Sequence, residues 1–219
     1  MSTVKVHIDL RSRFVKVGNQ GRRPTCLAFA ASDAHVYLHK CTHPLCVEWL
    51  YYHAVSNAGD PPDAGSTLPS TQHVLKKMGQ PHELHWPYEV TPIDQTSWRP
   101  PAKKPSDLYY AESITSPSFS EITEALEASQ PSIIALNIGS AFQTWANVSG
   151  EAVITDESEH PSQGAGHALL AVGHGVYKTT PHLLIRNSWG ASWGESGYAW
   201  ISEFHMKDRW MGGFRLKEI

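Results

Sequence analysis

The sequence predicts an α+β chain folded as two lobes, helical first and β-rich second. Three runs between Cys26 and Met78 carry helical texture, free of glycine throughout. From Ser132 onward the apolar runs are short and separated by Gly-rich turns, the texture of strands. Helices followed by strands is the α+β pattern, and 219 residues suffice for one large core or two small lobes sharing an interface.

Taken in order, Val4 to Ile8 alternates apolar and polar residues and reads as a short strand. A loop with Gly18, Gly21 and Pro24 follows. The run from Cys26 to about His39 is apolar on most sides, so it predicts a helix buried in a core, with Thr25 as its N-cap. A second helix is expected over Cys46–Ser56, before the turn-rich NAGDPPDAGS. A third fits Leu68–Met78, stopped by Gly79. Residues 86 to 106 hold five prolines and predict an extended connection. An amphipathic helix over Ser120–Ser129, capped by Ser120, leads into strands at Ser132–Ile138, Ala168–Gly173, His182–Arg186 and Tyr198–Ile201. The lobes divide at about residue 110, the first running from about 10 and the second to about 205, with the termini crossing between them.

Composition narrows the function classes. A net charge of −3 gives no argument for nucleic acid or an anionic membrane as partner. No run approaches the roughly 20 apolar residues that span a bilayer, and MSTVKVHIDLRSRF has no apolar stretch suited to a signal peptide. Three cysteines, Cys26, Cys41 and Cys46, are too few and odd in number for a disulfide framework. A cytoplasmic location is the expectation.

Cys26 sits where polar loop meets apolar helix, in GNQGRRPTCLAFA. Alone it reads first as a buried small hydrophobe, with metal ligand and nucleophile as the other readings. The helix N-terminus favours a thiolate and a lowered pKa. Gln20 on the incoming loop is placed to donate beside it, forming an oxyanion hole with the Cys26 N–H. His167, in SQGAGHALLAVGHG, enters a strand from a Gly-rich turn and is the candidate proton partner. His174 is its competitor, but an odd separation along one strand points the two to opposite faces. Asn187 ends an apolar strand and precedes two Trp-Gly pairs, Trp189-Gly190 and Trp193-Gly194. It could orient the His167 ring, with Trp189 shielding that hydrogen bond from water. A zinc site is the competing constellation: His35 and His39 share a helix face, and Cys41, His43 and Cys46 follow. Their irregular spacing argues against it, and His82 and His85 beside a Pro-rich loop argue for a metal still less. No metal and no cofactor is expected.

Taken together, Q-G-x4-C-x-A-F, G-H-A-x3-V-G-x-G and R-N-S-W-G-x2-W-G-x2-G-Y, in that order, resemble the papain-like (C1) cysteine peptidases. Asp9-Leu10-Arg11 is similar to the start of the family's mature domain, Trp86-Pro87-Tyr88 to its aromatic-Pro-Tyr stretch, and Ala141–Gly150 to the loop approaching its cleft. In this family His and Asn follow the Cys by about 130–150 residues. Here they follow by 141 and 161, which predicts a longer turn around Tyr177–His182.

The resemblance implies a helical lobe and an antiparallel β-barrel lobe with an active-site cleft between them. It implies Cys26, His167, Asn187 and Gln20 as catalytic residues, acting through a thioester. Gly65, Ser66, Gly166 and Trp189 are implied at the substrate, an extended peptide or protein. A separate inhibitor or pro-segment is a further implied partner. A papain-fold binding protein and a peptidyl transferase of the same chemistry are the alternatives, and retention of all four catalytic candidates argues against the first. The chain also departs from the family pattern. Arg23 or Pro24 stands where a disulfide-forming cysteine is usual, and Leu27 replaces the tryptophan after the nucleophile. No pro-domain of the usual length precedes residue 9.

Overall fold

Helix α1 (Cys26–Leu38) organises the chain. Ala28, Ala31 and Ala34 recur every three residues with at most 2% exposure, so the helix presents a face with almost no side-chain bulk. Helices α2 (Val47–Ala58) and α3 (Leu68–Lys77) pack on α1, which also touches three strands of the sheet. The computed structural model describes residues 3–91, 93–94, 96–116, 118–155 and 166–219. The Gly-rich residues 162–165, read from the sequence as a turn into a strand, lie outside them.

The strands are β1 (Lys5–Asp9), β2 (Glu112–Thr115), β3 (Ser132–Asn137), β4 (Ala146–Val148), β5 (Glu151–Val153), β6 (Gly166–Tyr177), β7 (Thr180–Arg186), β8 (Tyr198–Ser202) and β9 (Trp210–Lys217). They form one sheet in the order β2-β9-β3-β6-β7-β8-β5-β4, with β1 on β6 beyond β3. Pairing is antiparallel except where Val153 meets Trp200 in parallel. The fold is therefore α+β, as the sequence predicts. The barrel is not closed, because the edge strands β2 and β4 do not pair with each other among the described residues.

Several local expectations change. Thr25 occupies the N-cap position of α1, but its hydroxyl bonds Tyr88 Oη at 2.7 Å rather than the helix. Helix α4 (Phe119–Glu127) is capped by Ser118, which accepts from the Glu121 N–H, and not by Ser120. Ser118 wins because it precedes an apolar first residue that packs into the core. The β6–β7 turn is not lengthened. It has only Lys178 and Thr179, both at positive φ, the geometry of a tight type I′ hairpin. The extra residues between His167 and Asn187 lie inside the strands, where β6 bulges between Ala171 and Gly173. That bulge also spoils the alternation argument for His167 and His174. Distance separates them instead: seven residues of strand span about 23 Å, and His174 bonds Glu127 on α4 at 2.8 Å.

Arg186, the last residue of β7, ties sheet to helix. Nε and Nη2 donate to the Asp33 carboxylate on α1 at 2.6 and 3.1 Å. Nη2 also meets the Val15 and Lys16 carbonyls, and Nη1 the Tyr198 hydroxyl. With the Arg186 side chain 1% exposed, the charge is dehydrated and leans on these partners. Arg186→Met is expected to destabilise the fold by about 3–5 kcal/mol, since Asp33 then loses its counter-ion; urea unfolding measures it. A loss below about 1 kcal/mol would refute the tie.

Candidate active site

The sheet and α1 bring Cys26 and His167 to one cleft. Cys26 is the first residue of α1, and His167 the second of β6, paired across to Leu136 of β3. Both line a cleft of about 600 Å3. One rim carries Gly65 and Ser66, with Gly65 at φ 84°, a backbone conformation that a side chain would strain. Gly166 and Ala168 flank His167 on the opposite wall. Leu68, Ala135 and Met211 complete it, so among the described residues no charged side chain lines this space.

Asn187 follows β7 directly and is 2% exposed. Its Oδ1 accepts from the Ser188 backbone N–H and faces His167 Nε2, each at 2.8 Å. An oxygen facing Nε2 requires the ring to donate there, so neutral His167 carries its proton on Nε2 and keeps Nδ1 as the free base. The Trp189 ring lies over His167, centroids 4.7 Å apart and planes inclined by 34°. Phe142 packs at the edges of both rings and stacks on Trp193. Trp189 thus covers the imidazole and is not among the residues lining the cleft.

Gln20 is buried, 8% exposed, on the loop before α1 and is not among the residues lining the cleft. Its Nε2 donates to the Arg23 carbonyl at 2.8 Å and its Oε1 accepts from Ser188 Oγ at 2.7 Å. A carbonyl can only accept, which fixes the amide's orientation. The Gln20 backbone N–H also donates to the Ser188 carbonyl at 2.8 Å, so the residue after Asn187 holds both ends of Gln20. Ser188 was not singled out from the sequence, although it lies within RNSWG. The Gln20 carbonyl in turn accepts from Tyr88 Oη at 2.9 Å, so the Thr25 hydroxyl must donate to Tyr88.

Burial governs the charges. It pushes the Cys26 thiol above its ordinary value, opposed by N–H groups of Ala168, Leu27 and Cys26 itself. The expected lowering by the helix terminus is therefore overturned, because desolvation outweighs those donors. Burial also pulls His167 down to about 4, with the Asn187 bond opposing.

The alternative zinc residues do not converge. His35 bonds Gln80, His39 faces the Tyr110 carbonyl, and His43 bonds Thr42. Cys46 caps α2, its Sγ accepting from the Trp49 N–H. His82 bonds Tyr109, and His85 packs on Trp49. Among the described residues no three His, Cys, Asp or Glu side chains are grouped to hold a metal.

His167 buried neutral has a stated consequence. Its folded pKa is below the unfolded value of 6.5, so its stabilising share is full above that pH and lost as pH falls toward 4. Wild type minus His167→Gln unfolding free energy should therefore shrink between pH 6.5 and 4. A difference independent of pH would contradict the buried neutral ring.

Comparisons agree with the fold. The model of the papain family cysteine proteases matches residues 4–209. A viral cathepsin of Spodoptera litura multicapsid nucleopolyhedrovirus is 26% identical over 191 residues, 85% of this chain and 53% of that protein. Cysteine proteinase 3 of Solanum lycopersicum is 40% identical over 78 residues, 36% of this chain and 21% of that one. The chain thus spans about half the length of the first of these relatives and less of the second. Among solved structures, xylellain, a cysteine protease from Xylella fastidiosa, superposes with TM-score 0.78 at 25% identity, over 97% of this chain and 85% of that one. Bromelain protease from Ananas comosus, in complex with the E64 inhibitor, gives 0.76 at 20% identity, over 97% and 98%.

Proposed function

The chain belongs to the papain family of cysteine proteases, and from that premise we propose that it hydrolyses peptide bonds through Cys26, His167 and Asn187. One observation carries the reading. The Asn187 Oδ1 contact puts the neutral histidine's proton on Nε2, which leaves Nδ1 as a base in the cleft that Cys26 lines.

Proton transfer from Cys26 to His167 makes the thiolate, which attacks the scissile carbonyl carbon. The carbonyl oxygen becomes an oxyanion and accepts from the Gln20 amide and the Cys26 N–H. That N–H is among the first of α1, which have no partner within the helix. His167 then protonates the leaving amine, producing a thioester. Water, deprotonated by His167, hydrolyses the thioester and restores the thiol. Asn187 orients the ring and Trp189 keeps water from it.

The substrate is an extended peptide or protein. Its backbone runs past Gly65 and Ser66, and an uncharged apolar side chain suits the wall of Leu68, Ala135 and Met211. Free Cys26, Cys41 and Cys46 favour a reducing, cytoplasmic setting. A separate inhibitor or pro-segment is a proposed means of restraint.

Cys26→Ala is expected to abolish turnover of a peptide substrate and leave near-UV circular dichroism unchanged. A peptidyl epoxide should label Cys26 and spare Cys41 and Cys46 in mass-spectrometric mapping. Labelling elsewhere, or residual turnover, would remove the nucleophile assignment. Gln20→Ala is expected to lower kcat by about 10²–10³-fold, the cost of one oxyanion donor. A change confined to KM would deny Gln20 that role.

A further inference from the structure

Arg23, three residues before Cys26, is 4% exposed. A guanidinium so dehydrated needs its partners, and it has a set of them. Nη1 and Nη2 donate to Glu48 Oε2 and Oε1, each at 2.7 Å, the two-pronged geometry of arginine on carboxylate. Nη1 also donates to the Glu89 carbonyl at 2.8 Å. Tyr88, Tyr51 and Trp98 box the cation, its carbon 4.8, 5.7 and 5.7 Å from their ring centroids. Glu48, on α2, is 1% exposed and accepts in addition from Trp98 Nε1.

The main chain of the same residue holds the oxyanion loop. The Arg23 carbonyl accepts from Gln20 Nε2 at 2.8 Å and from the Thr25 N–H at 2.9 Å. The Arg23 N–H donates back to the Gln20 carbonyl at 3.3 Å. Tyr88 reinforces the link, its ring under the guanidinium and its hydroxyl on the Gln20 carbonyl. The side chain is therefore anchored in α2, while the backbone carbonyl of the same residue holds the Gln20 amide.

We propose that Arg23, locked to Glu48, is a positioning residue: it holds the peptide unit on which the Gln20 amide hangs, and so sets the oxyanion site. The proposal rests on the reading of Gln20 as an oxyanion donor. A guanidinium with two bonds to one carboxylate fixes both position and rotation, which an ammonium at the same place does not. Misplacement of a donor by about 1 Å costs on the order of 10²-fold in rate. Alkylation of the thiolate by iodoacetamide forms no oxyanion, so it reads thiolate formation separately from oxyanion binding.

The test is a double-mutant cycle on Arg23 and Gln20. Arg23→Lys keeps the charge and loses the fork, and Arg23→Met with Glu48→Gln removes both charges together, leaving neither ion unpaired. Each is expected to lower kcat for a peptide about 10–100-fold, with the pH profile and the rate of Cys26 alkylation by iodoacetamide unchanged. In the Gln20→Ala background neither should lower kcat further. Additive losses in the two backgrounds, or a parallel fall in alkylation, would overturn the proposal and leave Gln20 as oxyanion donor. An unchanged kcat in Gln20→Ala alone would instead overturn that underlying role, and the proposal with it. If the doubly substituted chain does not fold, Arg23→Lys alone completes the cycle.

Discussion

The close packing of α1 against the sheet is the constraint from which the site follows. A helix whose packed face is Ala28, Ala31 and Ala34 can approach other backbone far more closely than one carrying leucines. That closeness brings the first residue of α1 and the second of β6 into one cleft. It also buries His167 and half-buries Cys26, so the geometry that unites cysteine and histidine makes each harder to charge.

Two ion pairs hold this arrangement, one on α1 and one between the loop before it and α2. Arg186–Asp33 joins the end of β7 to the middle of α1, and so relates Asn187 to the helix bearing Cys26. Arg23–Glu48 joins the loop before α1 to α2. Removing one partner of such a pair is costly, whereas replacing both by apolar groups of equal shape is often neutral. What an arginine fork adds is direction, because its donors accept few rearrangements. Neither pair involves sulfur, so thiol oxidation state does not touch them. The chain has three free thiols and anchors the loop before Cys26 by charge.

The parts legible in the sequence were those with a periodic or punctuated signal. The run CLAFAASDAHVYL reads as a buried helix because nearly every side of it is apolar, and Gly79 marks the end of α3. Strand β9 was missed, since WMGGFRLK carries two glycines that discourage a strand assignment. At Gly213 the partner strand approaches closely, so a Cβ would stand 2.6 Å from the Ile133 carbonyl oxygen, and Gly212 takes a φ of 145° that disfavours any side chain. The β6–β7 turn was misjudged because spacing counts residues and cannot tell a long turn from long strands. At the site, the residues tied to chemistry by type were legible. Ser188, Glu48 and Asp33 were not, because a hydrogen bond or ion pair between distant segments leaves no local pattern.

The balance of charge in the cleft explains why so much structure is spent on position. Burial favours a neutral thiol beside a neutral imidazole, and moving His167 from 6.5 to about 4 measures how strongly. Charging both at once is different, since opposite charges attract and offset part of that cost. Small groups tip such a balance: the N–H groups of Ala168, Leu27 and Cys26 favour the thiolate, and the Asn187 oxygen favours the imidazolium. Each acts only at hydrogen-bond distance, so a shift of α1 against β6 would weaken the Ala168 contact to Cys26. In the proposed mechanism, Arg186 thus holds Asn187 and its histidine against the helix of Cys26, while Arg23 sets the oxyanion donor.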